Sequence, residues 1–399
     1  MQSILPSLSA DQLYPPDAVY MARTRLEHVR MLGYTPLQLD SATSLLLGLL
    51  NGRATIRHVA CTGDEVLELF AAAGVPVDEA IHSYTTEQEA IAHARALVEA
   101  GKRLFWPYPL PEDLYSADSH LVPPHVYRTL NAKQNLGNLV SQEYLAHQQL
   151  LSHGQLAALP FTGPVCLKAG GDAATGWGYA VFPCHAPADL EIARAWFAER
   201  LTDIPQVLIE QWVDVTCSWC VGLAISENET LCFGGAEQIF ASACKQSGSI
   251  VDSSHPLPKS VEALALQVGE KARLMGFRGI AGLDIGIDKT GRPVLFDPNF
   301  RVASSSAQLL FHPAAAKRSG LTVSHSIQIS PEGRFDHMAS RLRSPLEEGW
   351  FVPTRIFNGE KHPLSGGRHI VTGFVLGGHR ESVLNSVKKF SELVLAVNT

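Results

Sequence analysis

Between Gly279 and Arg301 the chain reads GIAGLDIGIDKTGRPVLFDPNFR. Two apolar runs, residues 281–287 and 293–296, flank the turn residues Asp288, Lys289, Thr290 and Gly291, which is the pattern of a β-hairpin. Asp284 stands inside the first run, and Asp297 and Asn299 stand at the end of the second. A carboxylate on an otherwise buried strand needs a partner to offset its desolvation. Mg²⁺ suits three oxygen-bearing side chains that converge from neighbouring strands, because it takes one or two carboxylates and fills its other positions with phosphates and water. Arg301 adds a cation on the same edge. Against this stands a plainer reading: DPN is an ordinary turn tripeptide, and an aspartate beside a hairpin turn usually caps it. The metal reading therefore depends on a nucleotide site elsewhere in the chain.

A chain of 399 residues, 46% hydrophobic and 18% charged, is globular and long enough for two or three domains. The net charge of -7 and pI near 6.1 argue against a nucleic-acid binder, which would show a basic face. No apolar run approaches the roughly 20 residues that span a bilayer, and residues 1–16 lack the basic and apolar regions of a secretory signal. Seven cysteines without framework spacing fit reduced thiols, so a cytoplasmic location is expected. Cys217 and Cys220 form a C-x-x-C inside the strand-like run VTCSWCVGLAI and read as buried structural thiols.

Along the chain, helical periodicity predicts helices over residues 18–32 and 86–100, and residues 104–106 form a short buried strand after Gly101. This is an α/β unit of Rossmann-like kind without a dinucleotide fingerprint. A Pro-rich stretch over residues 107–124 marks a boundary. Asn131 is then expected to cap a helix with Lys133 in its first turn, where a cation opposes the helix dipole. Residues 165–167 form a strand that delivers Lys168 into a loop containing Gly170, Gly171, Gly176 and Gly178. Glycines let backbone N–H groups wrap phosphate oxygens, with the lysine neutralising charge at the mouth, although the spacing is not that of a Walker loop.

A helix over residues 187–201 precedes a strand, 207–209, that ends in Glu210, followed by Gln211, Trp212 and Val213 as an exposed-edge linker. A carboxylate and free backbone there suit the amino edge of an adenine, and a surface glutamate ending an edge strand is the competing reading. After a strand at residues 231–233 come Glu237 and Gln238 and a Ser/Gly-rich loop, a candidate lid. An amphipathic helix over residues 258–275 leads into the hairpin. Past Arg301 a helix and its exit follow, then strand-like runs at 349–356 and 369–376 and a final helix at 381–397; Arg355, Gly366, Gly367 and Arg368 read as turn and surface residues, with a cationic or backbone contact to the site as the competing reading.

Taken in order, Lys133, Lys168 with its glycine loop, Glu210, Asp284, Asp297 and Asn299 resemble the ATP-grasp superfamily of carboxylate-amine ligases over about residues 125–320. The resemblance implies a Rossmann-like domain over residues 1–122, an ATP-grasp domain over 123–320 with a small nucleotide-binding part at about 125–213, and a C-terminal α+β part over 321–399. It implies ATP and Mg²⁺ as cofactors. Lys133, Lys168, Gly170, Gly171 and Gly176 would contact the nucleotide phosphates, Glu210 and Val213 the adenine, and Asp284, Asp297 and Asn299 the metal. The sequence departs from the family pattern in two places: many members carry Glu where Asp297 stands, and the ribose-holding Glu would fall near Cys217, with Asp214 the nearby carboxylate.

The chemistry so implied is activation of an amino-acid or peptide carboxylate as an acylphosphate, followed by amide formation, with Arg301 stabilising the developing charge. A secondary-metabolite pathway making an antibiotic or toxin is one setting for such a ligase. Alternatives are an intramolecular lactam-forming ligase, a purine-pathway type ligase or carboxylase, and a non-catalytic ATP-binding module. The expected partner is a small amino-acid or peptide substrate, not nucleic acid or membrane, and a homodimer is left open.

Overall fold

The computed structural model describes residues 3–171, 174–175 and 179–395. Its first sheet is parallel and four-stranded, in the order Ala80–Tyr84, Ala54–His58, Ala18–Tyr20, Arg103–Phe105. The expected helix over residues 18–32 is replaced by the strand Ala18–Tyr20, a 3₁₀ turn Leu26–His28 and the two-residue strand Met31–Leu32. The reason lies in burial. Residues 18–22 are fully enclosed on both faces, and a central parallel strand reads as a continuous apolar run that periodicity cannot separate from a helix. The helix Glu87–Glu99 does form, started by a capping box in which Thr86 accepts from Glu89 N–H and Glu89 reaches back.

A second, antiparallel sheet has the order Gln148–Ser152, Gln206–Gln211, Val165–Ala169, Val181–Cys184, covered by the helix Pro187–Ala198. Glu210 thus lies on an inner strand paired on both sides, and the edge-strand expectation is corrected. Residues 212–214 then connect Gln206–Gln211 directly to Val215–Ile225 of the largest sheet.

That third sheet is antiparallel and eight-stranded: Pro293–Asn299, Gly279–Asp288, Val215–Ile225, Thr230–Ser242, Lys245–Asp252, Val323–Ile329, Ile370–Gly377, Phe351–Phe357. The stretch read as a Ser/Gly-rich lid is instead the hairpin Thr230–Ser242 with Lys245–Asp252; irregular pairing at Ile239, Phe240 and Ser242 accounts for its loop-like composition. Residues 323–377 add three strands to the same sheet as the hairpin of Asp284 and Asp297. The parallel sheet docks on this one through Tyr14, which stacks on Phe105 at 4.0 Å and whose hydroxyl accepts from Ile280 N–H at 3.4 Å.

Candidate active site

The turn residues close the hairpin as the sequence implies: Asp288 accepts from the N–H groups of Thr290 and Arg292. Across the ladder Asp284 pairs with Asp297, and Gly282 pairs with Asn299. Directly opposed residues share a face, as do residues two apart, so all three oxygen-bearing side chains stand on one side of the sheet. Asn299 Nδ2 points at Asp284 Oδ2 at 3.5 Å, and Arg301 Nη2 donates to Asn299 Oδ1 at 2.5 Å. Burial and then the facing charge of Asp297 push the Asp284 carboxyl up to about 7. Burial also acts on Asp297, but Lys133, donating from Nζ to Oδ1 at 2.6 Å, outweighs it and holds that carboxyl below its usual range.

Lys133 reaches Asp297 from a 3₁₀ turn, Lys133–Asn135. Asn131 does not cap a following helix. It ends the helix Pro124–Asn131, and its Oδ1 accepts from Phe300 N–H at 3.0 Å, tying that helix to the strand end beside Arg301. Lys168 lies within Val165–Ala169, where it is buried and forms a 2.6 Å ion pair with Glu210. Burial pulls the ammonium pKa down, but Glu210 outweighs it, so the lysine stays charged. The same Nζ donates to Phe296 O at 3.3 Å, next to Asp297. The small sheet and the hairpin of Asp284 and Asp297 therefore meet at one lysine.

Gly170 has its N–H engaged by Gln206 O at 2.9 Å, and a Cβ there would lie 2.5 Å from Leu150. Its part is close packing, and it has no free N–H to offer a phosphate. Gly171 takes the left-handed region at φ +70. Gly176 and Gly178 lie outside the described residues. Val213 is half-buried in the connection after Glu210, and Asp214 is exposed, bonded to Trp212 and Lys289.

Two side chains stand at the site that the sequence reading placed elsewhere, Gln238 before a candidate lid and Cys220 among structural thiols. Gln238 accepts from Ser218 Oγ at 2.6 Å and donates to Asp284 Oδ1 at 3.0 Å. Cys220, opposite Asp284 on the next strand, directs its thiol at the same carboxylate. Alternation along VTCSWC places Ser218 and Cys220 on the face of Asp284, and that was the signal available. Two carboxylates and an amide, with burial and mutual repulsion to relieve, are the hard oxygen set that fits Mg²⁺.

Asp40, His58 and His362 also come together among the described residues. Here each group has a partner within the protein: Asp40 accepts from Tyr84 at 2.6 Å and His362 at 3.1 Å and pairs with Arg23 at 3.2 Å, while His58 Nδ1 accepts from Ala60 N–H. This is a satisfied network that ties the carboxyl ends of the parallel strands to residues near the C-terminal strands.

Residues 9–128 match the family model of the L-aspartate–L-methionine ligase N-terminal domain, and residues 142–299 match that family's ATP-grasp model. Solved structures of similar fold include N5-carboxyaminoimidazole ribonucleotide synthetase with ADP, 15% identical, covering 98% of this chain and 97% of that one with a TM-score of 0.57. An L-amino acid ligase from Bacillus licheniformis is 12% identical, with 94% and 96% covered and a TM-score of 0.53. The biotin carboxylase domain of the Hydrogenobacter thermophilus 2-oxoglutarate carboxylase, with MgADP, is 12% identical, with 94% and 89% covered and a TM-score of 0.54. With both of its domain models matched in order, the chain belongs to the L-aspartate–L-methionine ligase family of ATP-grasp enzymes, and is a ligase that uses ATP and Mg²⁺ to form C–N bonds.

Proposed function

We propose that the enzyme joins L-aspartate, as acyl donor, to the amine of L-methionine, and that the sheet face of Asp284, Asp297 and Asn299 with Lys133, Lys168 and Arg301 carries the reaction. The observation that supports this most is the single lysine, Lys168, which bonds both Glu210 and the carbonyl beside Asp297. A nucleotide laid along it would have its base near Glu210 and Val213 and its phosphates near the hairpin. When bound, Mg²⁺ would be held by Asp284, Asp297 and Asn299 and would offset charge on the phosphates.

The protein's own groups supply the rest. Lys133 and Lys168 orient the γ-phosphoryl group for attack by a carboxylate oxygen and neutralise its equatorial oxygens. That attack gives an acylphosphate and ADP. The amine nitrogen then bonds to the acyl carbon, the acyl C–O bond to phosphate breaks, and phosphate leaves with the electron pair. Arg301 faces the oxyanion that forms between these steps. Seven unpaired cysteines among the described residues support a cytoplasmic setting.

The test combines ATP, Mg²⁺, L-aspartate and L-methionine, with phosphate release and product mass as readouts. Phosphate release that requires both amino acids, with a product equal to their sum less one water, is expected. Product from one amino acid alone would indicate ring closure instead, and ATP binding without turnover on any amino acid would indicate a nucleotide-binding module.

A further inference from the structure

The outermost strand of the large sheet, Phe351–Phe357, packs against the parallel-sheet domain, and its pairing slips between Pro353 and Arg355. Such a bulge re-aims a side chain, and bulges gather beside active sites. The re-aimed side chain is Arg355. Its Nε donates to Ser44 Oγ at 3.1 Å, and its Nη2 donates to Ser41 O and Ser41 Oγ, each at 3.4 Å. All three acceptors are neutral, and Nη1 has no hydrogen-bond partner among the described residues.

The buried Arg57 and Arg23 differ. Arg57 has Glu79 at 2.7 Å, and Arg23 has Asp40 at 3.2 Å and Glu87 at 3.0 Å. No carboxylate among the described residues pairs with Arg355. The titratable groups close enough to influence it are Cys61, Tyr20 and Tyr34, none of them anionic at neutral pH. A desolvated guanidinium without an acid is costly, and this fork of donors matches a planar pair of anionic oxygens, which the carboxylates of amino-acid substrates present. Tyr34 lies within electrostatic reach of both Arg355 and Arg301.

We propose that Arg355 binds the carboxylate of an amino-acid substrate that does not react. This rests on the reading of the chain as an amino-acid ligase. Two carboxylates meet the description: the second carboxylate of the dicarboxylic donor, and the carboxylate of the amine acceptor. Both present the same planar pair of oxygens to Nη1 and Nη2, and substrate analogues separate them.

The experiment measures phosphate release by the full chain with Mg-ATP for the wild type and Arg355→Gln. Loss of a charge-assisted pair is expected to raise KM for one of the two amino acids roughly 10- to 100-fold, with KM for ATP unchanged. The wild type is expected to discriminate against the amide of that same amino acid, asparagine or methioninamide, and Arg355→Gln is expected to lose that discrimination. An effect confined to aspartate and asparagine assigns the donor; one confined to methionine and methioninamide assigns the acceptor. Unchanged KM for both amino acids in Arg355→Gln overturns the proposal. Should the variant not fold, the wild type decides alone, because equal turnover of both amides and their parent acids overturns it too. Failure of the ligase reading looks different: the wild type would release no phosphate in response to amino acids.

Discussion

The hairpin site and the Asp40 network are both collections of buried charge, and they are built on opposite principles. Around Asp40, one carboxylate meets Arg23, Tyr84 and His362, all donors from within the protein. On the hairpin, two carboxylates are placed directly opposite each other, where like charges repel; Lys133 bonds Asp297 alone, and Arg301 bonds Asn299. The first arrangement holds a fold together. The second is tolerated because a ligand completes it, in keeping with the tendency of local rules to be broken at functional sites.

The largest test of that contrast is Asp297→Ala, which should lower ATP turnover by at least about 10³-fold. The variant should unfold at nearly the same denaturant concentration as the wild type, since the lost ion pair with Lys133 is offset by the removal of a buried carboxylate and of its repulsion with Asp284. A clear loss of stability would make Asp297 a structural residue like Asp40. Asp40→Ala should do the reverse, costing about 3 kcal/mol in denaturant unfolding by leaving Arg23 with Glu87 alone and stranding the buried donors of Tyr84 and His362. If ATP turnover fell as steeply as in Asp297→Ala while stability held, the comparison would break.

Acidification sharpens the same distinction. Burial, the largest influence, pushes the imidazole of His58, in the network, down from its ordinary 6.5 to about 4, and does the same to His312. Both are neutral in the fold and protonate more readily when unfolded. The unfolded chain therefore binds more protons between pH 6.5 and about 4, and stability falls as pH falls through that window, by on the order of 3 kcal/mol per histidine. Calorimetry from pH 7 to 4.5 should show this loss, and His58→Gln should flatten it; an unchanged slope in the variant would count against the assignment. The smallest effect is expected from Gly282→Ala, opposite Asn299, where a Cβ would meet Ala303 Cβ at 2.5 Å. A cost of about 1–2 kcal/mol is expected from the overpacking, together with a rise in the Mg²⁺ concentration needed for half-maximal turnover.

Much of the site is legible in the chain because hairpins and helices are local. The turn residues DKTG locate the two strands that carry Asp284, Asp297 and Asn299, and the Thr86 to Glu89 spacing fixes a helix start, but it is the register shift between Asp284 and Ile285, which alternation does not announce, that brings Asp284 opposite Asp297. What is not legible depends on distant partners. Residues 18–22 are a strand because two other strands flank them, and Glu210 is interior because Gln148–Ser152 covers it. The polar hairpin carrying Gln238 resembles a loop in composition, since its strands curl through repeated irregular pairing. Val323–Ile329 and the bulge that turns Arg355 belong to a sheet assembled from residues more than a hundred positions apart.

Lys168 joins Glu210 to the carbonyl preceding Asp297, across two sheets linked by a three-residue connection. The strand that carries Glu210 and the strand that carries Asp297 are thus coupled through one side chain and are not separate modules for evolution or engineering. A substitution at Glu210 is expected to move the lysine and with it the end of the Asp297 strand, and to need a compensating substitution in the hairpin.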